Sequence, residues 1–393
     1  VNAYLVGGCV RDRLLGLPVR DRDWVVVGAS AGQLLGRGFQ PVGKGFPVFL
    51  HPETREEYAL ADDLEQDLCR RDFTINALAE DETGRLFDPT GGRADLEARI
   101  IRALPGSLAD DPVRCLRAAR LVARLDGFTI AAETRVEITR LGLGGALDAV
   151  PPERLWQELD KALAADRPSR FFLALRDLGI LGAVLPELDR LFGVPQRAEF
   201  HPEIDTGVHA MMVVDMAAGL TPDRATRFAA LVHDLGKGLT PAELLPRHAG
   251  HEDAGARLVA PMVRRLAGPN QYADLGTMAA RWHGIAHKVG ELRPGSMVRL
   301  LEGIDAFHRP ERLEALLVVA EADRRGRLGH GDHAYPQATA WRQALAAAAT
   351  VCARDLVAAG HAPGPALAAV LFQKRAEAIR AHGCCHQGEE PSP

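Results

Sequence analysis

Short apolar runs, bounded by glycine, proline and charge, occupy the first hundred residues, and longer helical stretches follow. Tyr4–Val6 reads as a short buried strand that Gly7-Gly8 turns sharply into a helix from Cys9 to Leu15. Gly16 suits a left-handed cap for that helix. Pro18 then breaks the chain before Asp21-Arg22-Asp23 and the apolar run Trp24–Val27, a second strand. Val42–Leu50 and Glu57–Leu60 read as further strands that complete a small sheet. In Arg70–Ala79, Asp72 and Thr74 can cap a helix carrying Ile75, Leu78 and Ala79 inward. Phe87–Leu96 reads as a turn into another helix that closes this first domain.

From Asp110 onward the pattern is helical. Pro112 directly after Asp111 is a start signal, with Asp111 in the N-cap position. At roughly 100° per residue, Arg114, Arg117, Arg120 and Arg124 fall on one side of that helix, with few acidic partners interleaved. Residues 127–195 read as mostly helical and moderately apolar, with Pro151-Pro152 opening one helix and Phe171–Leu178 forming the core side of another. A further helix closes on His233-Asp234. From Trp341 the chain is alanine-rich and helical, and its last residues form a polar tail.

Composition narrows the picture. A chain of 393 residues suggests two to four domains, and 47% hydrophobic with 25% charged residues is ordinary for a globular protein. No apolar run approaches a membrane span, and no basic-then-apolar leader opens the sequence, so no membrane partner is expected. The six cysteines, Cys9, Cys69, Cys115, Cys352, Cys384 and Cys385, show neither C-x-x-C nor zinc-ribbon spacing, which fits a reducing cytoplasm. Cys384-Cys385-His386 lacks a second ligand cluster nearby. The net charge of −5 argues against a broadly basic nucleic-acid binder. Residues 101–195 carry 13 Lys+Arg against 13 Asp+Glu, so any RNA contact must come from a local arginine stripe.

Two centres carry chemistry. A strand, a glycine pair and a helix N-terminus leave bare N–H groups facing outward, with no Cβ to block a phosphate. Arg11, one turn in, adds charge to that spot. Residues two apart in a strand share a face, so Asp21 and Asp23 point the same way. Two carboxylates on one rigid face suit Mg²⁺ with water and phosphate as its other ligands. Together these features indicate metal-assisted phosphoryl or nucleotidyl transfer. The second centre gathers His201, His209, His233-Asp234, His248, His251, His283, His287 and Asp323. An adjacent His-Asp pair at a helix end, with another His one helix earlier, is far rarer than a lone buried histidine.

The combination of G-G-C-V-R-D with D-R-D resembles the polymerase-β-like nucleotidyltransferases, in the form carried by bacterial tRNA CCA-adding enzymes and their poly(A) polymerase relatives. R-R-D-F-T-I-N-A-L-A at 70–79 is similar to that family's second motif, which places Arg71 on the nucleotide phosphates. D-D-P-V-R at 110–114 resembles its E-D-x-x-R element, with Asp for Glu at 110. The resemblance implies that Asp111 and Arg114 read the incoming base and that Gly8, Arg11, Arg117 and Arg120 bind the nucleotide. H-P-E-I-D-T-G-V-H and H-D-L-G-K-G resemble the HD phosphohydrolase superfamily. That likeness implies metal ligation by His209, His233, Asp234 and Asp323, with Asp305 a rival for the last place. His251 and His283 are candidates for a second ion.

Both signatures in this order resemble the class II tRNA nucleotidyltransferases that end in an HD domain. The expected fold class is α+β: a small mixed-sheet nucleotidyltransferase head, an all-α neck and body, and an all-α HD domain. The expected boundaries are 1–100 head, 101–145 neck with the base-template helix, 146–200 tRNA-binding body, 201–335 HD domain and 336–393 C-terminal segment. The implied activity is untemplated addition of C, C and A to the tRNA acceptor arm from CTP and ATP, at Mg²⁺ on Asp21 and Asp23. A 2′,3′-cyclic phosphodiesterase and phosphatase activity is implied for the HD site, with Ni²⁺ or Mn²⁺. A homodimer is allowed for. The rival readings are a poly(A) polymerase, an HD nucleotide hydrolase with a non-catalytic RNA-binding head, and a non-catalytic tRNA-binding protein.

One departure stands out. Family members that add all three nucleotides carry a longer, flexible segment where this chain has only Ala61–Cys69, short, acidic and free of glycine. In the family that loop is thought to help the pocket switch from C to A. Two explanations stand: the protein adds two C residues well and the terminal A poorly, or a flexible stretch has been lost from this sequence.

Overall fold

The structure is a computed structural model that describes residues 2–19, 21–42 and 48–383. Its contacts divide the chain into two compact units, residues 1–154 with 173–183, and residues 155–172 with 184–393.

The first unit is built on a sheet of seven strands. These are β1 (Asn2–Val6), β2 (Asp23–Val27), β3 (Gln40–Val42), β4 (Val48–Leu50), β5 (Glu57–Ala61), β6 (Ala79–Glu80) and β7 (Leu86–Phe87), in the order β3-β4-β5-β2-β1-β6-β7. β1 and β2 pair antiparallel, whereas β2 and β5 run parallel with Asp23 opposite Glu57. Helices α1 (Gly8–Leu14), α2 (Ala31–Gly36), α3 (Leu64–Cys69) and α4 (Gly92–Glu97) are interspersed with the strands. Val6, Val25, Leu68, Ala77, Ala79 and Leu104 form one buried cluster beneath the sheet. The mixed-sheet head is therefore as expected, and Gly16 adopts φ 69° after α1. The expected strand Val42–Leu50 falls partly outside the described residues, with β3 and β4 on its two flanks.

The expected helix in Arg70–Ala79 does not form. Only one 3₁₀ turn, Thr74–Asn76, is present before β6. The polar groups that would have capped a helix bind other partners instead, some of them distant. The Thr74 N–H donates to Arg102 O and the Thr74 hydroxyl to Asp95, while Asp72 accepts from Phe73 N–H, Asn76 and Arg117. Ile75, Leu78 and Ala79 nonetheless face inward, each fully buried.

A short two-stranded sheet of β8 (Ile100–Ile101) and β9 (Thr129–Ile130) flanks α5 (Ser107–Asp110) and α6 (Arg114–Arg124), and α7 (Ala132–Leu143) follows. Helix α6 starts later than Pro112 predicts, with Val113 in the cap position. The reason is a tight turn over 111–115, in which Arg114 N–H donates to Asp111 O and Cys115 N–H to Pro112 O.

Helices α8 (Pro152–Leu163) and α9 (Ser169–Asp177) come next, then the short α10 (Leu181–Val184) and α11 (Pro186–Asp189). The second unit is helical among the described residues: α12 (Thr206–Leu220), α13 (Arg224–Val232), α14 (His251–Arg265), α15 (Asn270–Ala286), α16 (Pro294–Gly303) and α17 (Glu311–Arg325). Around α13 and α15 pack α12, α14 and α17, burying Val213, Phe228, Val259, Leu316 and Val319. Helices α18 (Gln337–Ala349), α19 (Ala353–Ala358) and α20 (Pro365–Ala381) complete it, the last two packed together. Cys384-Cys385-His386 lies outside the described residues. No described helix is long and apolar enough to cross a membrane.

Candidate active sites

In the first unit β1 ends at Val6, and Gly7 turns the chain with φ 78°, a value that disfavours any side chain. A Cβ on Gly7 would lie 2.7 Å from Arg71 Nη1, and one on Gly8 would lie 3.3 Å from Arg11 Nη2. The glycine pair thus lets two guanidinium groups close on the start of α1. Arg11 is only 3% exposed and is fixed by Asp12, at 2.7 and 2.9 Å, and by Asn76. Arg71 is held by Asp67 at 2.9 Å.

Asp23 opens β2, and Asp21 lies just ahead of it, outside the strand. Burial, together with the negative charges of Glu57 and Asp21, raises the Asp23 carboxyl pKa, against the opposing pull of Arg71. A surplus of negative charge at one strand end is what a divalent cation relieves. Glu57 was not singled out from sequence. The signal that finds it is register, since a parallel partner of Asp23 must share its face.

Three of the α6 arginines bind groups of their own unit. Arg117 pairs with Asp72 at 2.8 Å, Arg124 pairs with Asp12, and Arg114 donates to Ser107 O at 3.1 Å. The expected free cationic stripe is therefore partly neutralised within its own unit. Asp111 does not cap its helix. Arg154 grips it with both terminal nitrogens, at 2.9 and 2.6 Å. Burial works against the charged form of Asp111, but Arg154, Arg114 and Arg117 hold its carboxyl below the ordinary carboxylate range.

Between β5 and the Arg70-Arg71-Asp72 run, the chain makes an ordered connection. Asp63 caps α3 by accepting from Gln66 N–H at 2.8 Å, and Leu68 is fully buried.

In the second unit five elements converge on a cluster of imidazoles and carboxylates. His209 comes from α12, His233-Asp234 from the end of α13, His251 from the start of α14, His283 from α15 and Asp323 from α17. His209 Nε2 lies 3.1 Å from Asp323 Oδ1, and Asp234 lies 3.2 to 3.4 Å from His233, His251 and His283. Gly236 makes this closeness possible, because a Cβ there would meet His251 O at 2.0 Å. Asp234 and Asp323 are buried, which favours protonation, yet Lys237 with His233, and His287 with His209, hold both carboxyls well below their usual range. Asp305, the rival ligand, bonds His308 and Arg309 in its own turn instead.

The donor set fits a divalent metal. His233 Nε2, Asp234 Oδ1 and His251 Nε2 are buried and lack a hydrogen-bond partner, an expensive arrangement without a cation between them. Three groups, His201 with Glu203 and His209, His209 with His233 and Asp323, and His233 with Asp234 and His283, each bring ligand atoms within 4.8 Å of one another. Glu203, which sequence reasoning missed, backs His209. Its carboxylate lies 2.7 Å from His209 Nδ1, though without the alignment of a good hydrogen bond, and 3.2 Å from His201 Nδ1. Burial pushes the His201 imidazole down to about 4.

Three stretches of the chain match known protein families. Residues 48–102 match the poly A polymerase head domain, 127–192 the probable RNA and SrmB-binding site of polymerase A, and 206–325 the HD domain. The Multifunctional CCA protein of Thioalkalivibrio sulfidiphilus is 52% identical over 402 residues, covering 97% of this chain and 98% of that protein. That of Methylococcus capsulatus is 51% identical, covering 97% and 95%. Among solved structures, the Bacillus stearothermophilus CCA-adding enzyme in complex with CTP superposes with a TM-score of 0.67 at 25% identity, over 96% of this chain and 89% of that one. The Thermotoga maritima CCA-adding enzyme complexed with tRNA gives 0.63 at 19% identity, over 100% and 88%, a likeness of fold.

Proposed function

This chain belongs to the multifunctional CCA protein family, and from that premise we propose how its two centres divide the work. The head adds C, C and A to the 3′ end of tRNA from CTP and ATP, and the HD site hydrolyses phosphate esters, 2′,3′-cyclic phosphates among them. The observation that carries the first half is the Asp21, Asp23 and Glu57 cluster beside the Gly7-Gly8 turn. The proposal assigns the transfer to residues 1–100 with the neck at 101–145, tRNA binding to 146–200 and hydrolysis to 201–335, although the two compact units divide within 146–200.

In the head, Asp21 and Asp23 would hold Mg²⁺, with Glu57 alongside. A divalent ion bound there would supply the charge that acidifies the attacking 3′-hydroxyl and offsets the departing pyrophosphate. The chain's own groups align the reaction. Gly8, Arg11, Arg71, Arg117 and Arg120 hold the triphosphate, so that the α-phosphorus faces the tRNA 3′-oxygen in line. Asp111 accepts from the exocyclic amine that cytosine and adenine share, and Arg114 donates to ring acceptors. Arg154 keeps the Asp111 carboxylate in one orientation.

In the HD site, His209, His233, Asp234 and Asp323 hold the metal, with His251 and His283 available to a second ion. Imidazole with carboxylate favours Ni²⁺ or Mn²⁺ over Mg²⁺. Held by these residues, such an ion would supply Lewis acidity for hydrolysis. The tRNA acceptor arm is the partner of the neck and body, and a cytoplasmic location suits that substrate. A homodimer remains part of this proposal, to be read from mass in solution.

A second reading concerns only the last nucleotide. The connection 61–69 is short and its residues 64–69 are helical, and the 402-residue alignment covers 97% of this 393-residue chain, so the relative has residues without counterpart somewhere along it. A short ordered link has few conformations with which to reshape a pocket from C to A. The deciding experiment offers tRNA lacking its 3′ end together with labelled CTP, ATP, GTP and UTP. Incorporation of C, C and A alone supports the main reading, and arrest after CC the second. Extension by A alone indicates a poly(A) polymerase, and no incorporation removes the transferase reading.

A further inference from the structure

A cavity of about 740 Å³ opens beside the HD cluster, with His251 and His287 in its wall. Arg197, Arg247, Lys288, Arg324 and Arg327 also line it, and Glu291 is the acid among the lining residues. That excess of positive charge, in a chain of net charge −5, suits an anionic ligand. Gln196 belongs to the same wall, yet it is only 4% exposed.

The geometry of Gln196 is determined by its neighbours. Lys237 Nζ lies 2.9 Å from Gln196 Oε1 and 2.7 Å from Asp234 Oδ2. An ammonium has donors and no acceptor, so the amide oxygen must face Lys237 and the amide nitrogen must face away. That nitrogen is buried and has no hydrogen-bond partner. The backbone around it is pinned: Gln196 N–H donates to Ile204 O at 2.9 Å, and His248 Nε2 lies 3.0 Å from Pro195 O. Thr240 donates to His248 Nδ1 at 2.8 Å, which leaves the proton on Nε2 for that contact. A preorganised donor without an acceptor, in the wall of a cationic cavity, is costly unless a ligand completes it.

We propose that Gln196 is a substrate-binding residue of the HD site, donating its amide N–H to a non-bridging oxygen of the phosphoryl group. Lys237 links the two parts, touching both the Gln196 amide and the Asp234 carboxylate, so phosphoryl oxygen and metal ligand are placed by one ammonium. This rests on the reading of the HD cluster as a phosphohydrolase, and the test separates the two.

The test uses the full chain loaded with Ni²⁺ or Mn²⁺, and two substitutions. Gln196→Glu keeps an oxygen for Lys237 but removes the donor, and Gln196→Met removes both. Inorganic phosphate binding is measured by calorimetry, and hydrolysis of 2′,3′-cyclic AMP by product release. Loss of one hydrogen bond to a charged group should weaken phosphate binding and raise the cyclic-nucleotide KM roughly 10- to 100-fold. Metal content and CTP incorporation should stay at wild-type values, while Gln196→Met, which strips an acceptor from the buried Lys237, should also lower the melting temperature. Phosphate affinity and KM within about twofold of wild type in both variants would overturn the assignment, as would absence of phosphate binding by the wild type. Phosphate binding that depends on Gln196 without any ester hydrolysis would leave Gln196 in place and remove the phosphohydrolase reading instead.

Discussion

Asp23 and Glu57 sit opposite each other on adjacent parallel strands, and the negative charge of Glu57 helps raise the Asp23 carboxyl pKa. With Asp21 they make a site that repels itself until a cation is bound. Asp21→Ala and Asp23→Ala are each expected to lower CTP incorporation at least about 1,000-fold, with hydrolysis of 2′,3′-cyclic AMP unchanged. Glu57→Gln should fall between these and wild type, and its deficit should shrink at high Mg²⁺. Incorporation assays across a Mg²⁺ titration check both points.

His233→Ala or Asp234→Ala should eliminate cyclic-phosphate hydrolysis and leave CTP incorporation intact. Chelation of the wild type followed by Ni²⁺ should restore activity, and the same treatment should fail in the variants. Metal content per chain, measured by mass spectrometry, should fall with activity. Normal hydrolysis by either variant would make the pair ordinary helix-end residues.

The legibility of these sites in sequence was uneven. The Gly7-Gly8 turn, the strand from Asp23 and the adjacent His233-Asp234 pair are readable because each is a local pattern, whereas the meeting of His209 with Asp323, over a hundred residues on, follows only from the family resemblance. Glu57 and Glu203 were not, because their importance comes from strand register and from the fold of α12 against the segment before it. The capping residues of 70–79 misled for a similar reason. Asp72 and Thr74 prefer any good partner, and Arg117, Arg102 and Asp95 offered better ones than a local helix. The N-cap place expected for Asp111 is not taken up either, because Arg154, some forty residues away in sequence, takes its carboxylate.

Arg154→Ala should release Asp111 to several orientations. The expected result is a loss of about tenfold in discrimination against GTP and UTP, with smaller change in the rate for CTP. Steady-state incorporation of each nucleotide into tRNA lacking its 3′ end measures it. Unchanged discrimination would show that Asp111 reads no base or needs no support.

Supplied with tRNA ending in CC and with ATP, this chain tests its own short 61–69 connection. Rapid and complete A addition would mean that α3 does not limit the pocket. Slow addition that recovers when a longer family loop is grafted after Ala61 would identify the connection as the cause.

Gly236→Ala should lower stability by about 2–3 kcal/mol, because the added methyl meets the backbone of His251. Urea denaturation should report the loss, and metal affinity should fall with it, since His251 and Asp234 would be pushed apart.

The pairing of the α6 arginines has a consequence for ionic strength. Counterions leave a polyanion only as protein cations newly neutralise its phosphates. Arg117 and Arg124 already face Asp72 and Asp12, so a phosphate approaching either competes with a resident carboxylate. Affinity of this helix for any nucleic acid should therefore fall only shallowly with added salt, and its arginine count overstates the slope.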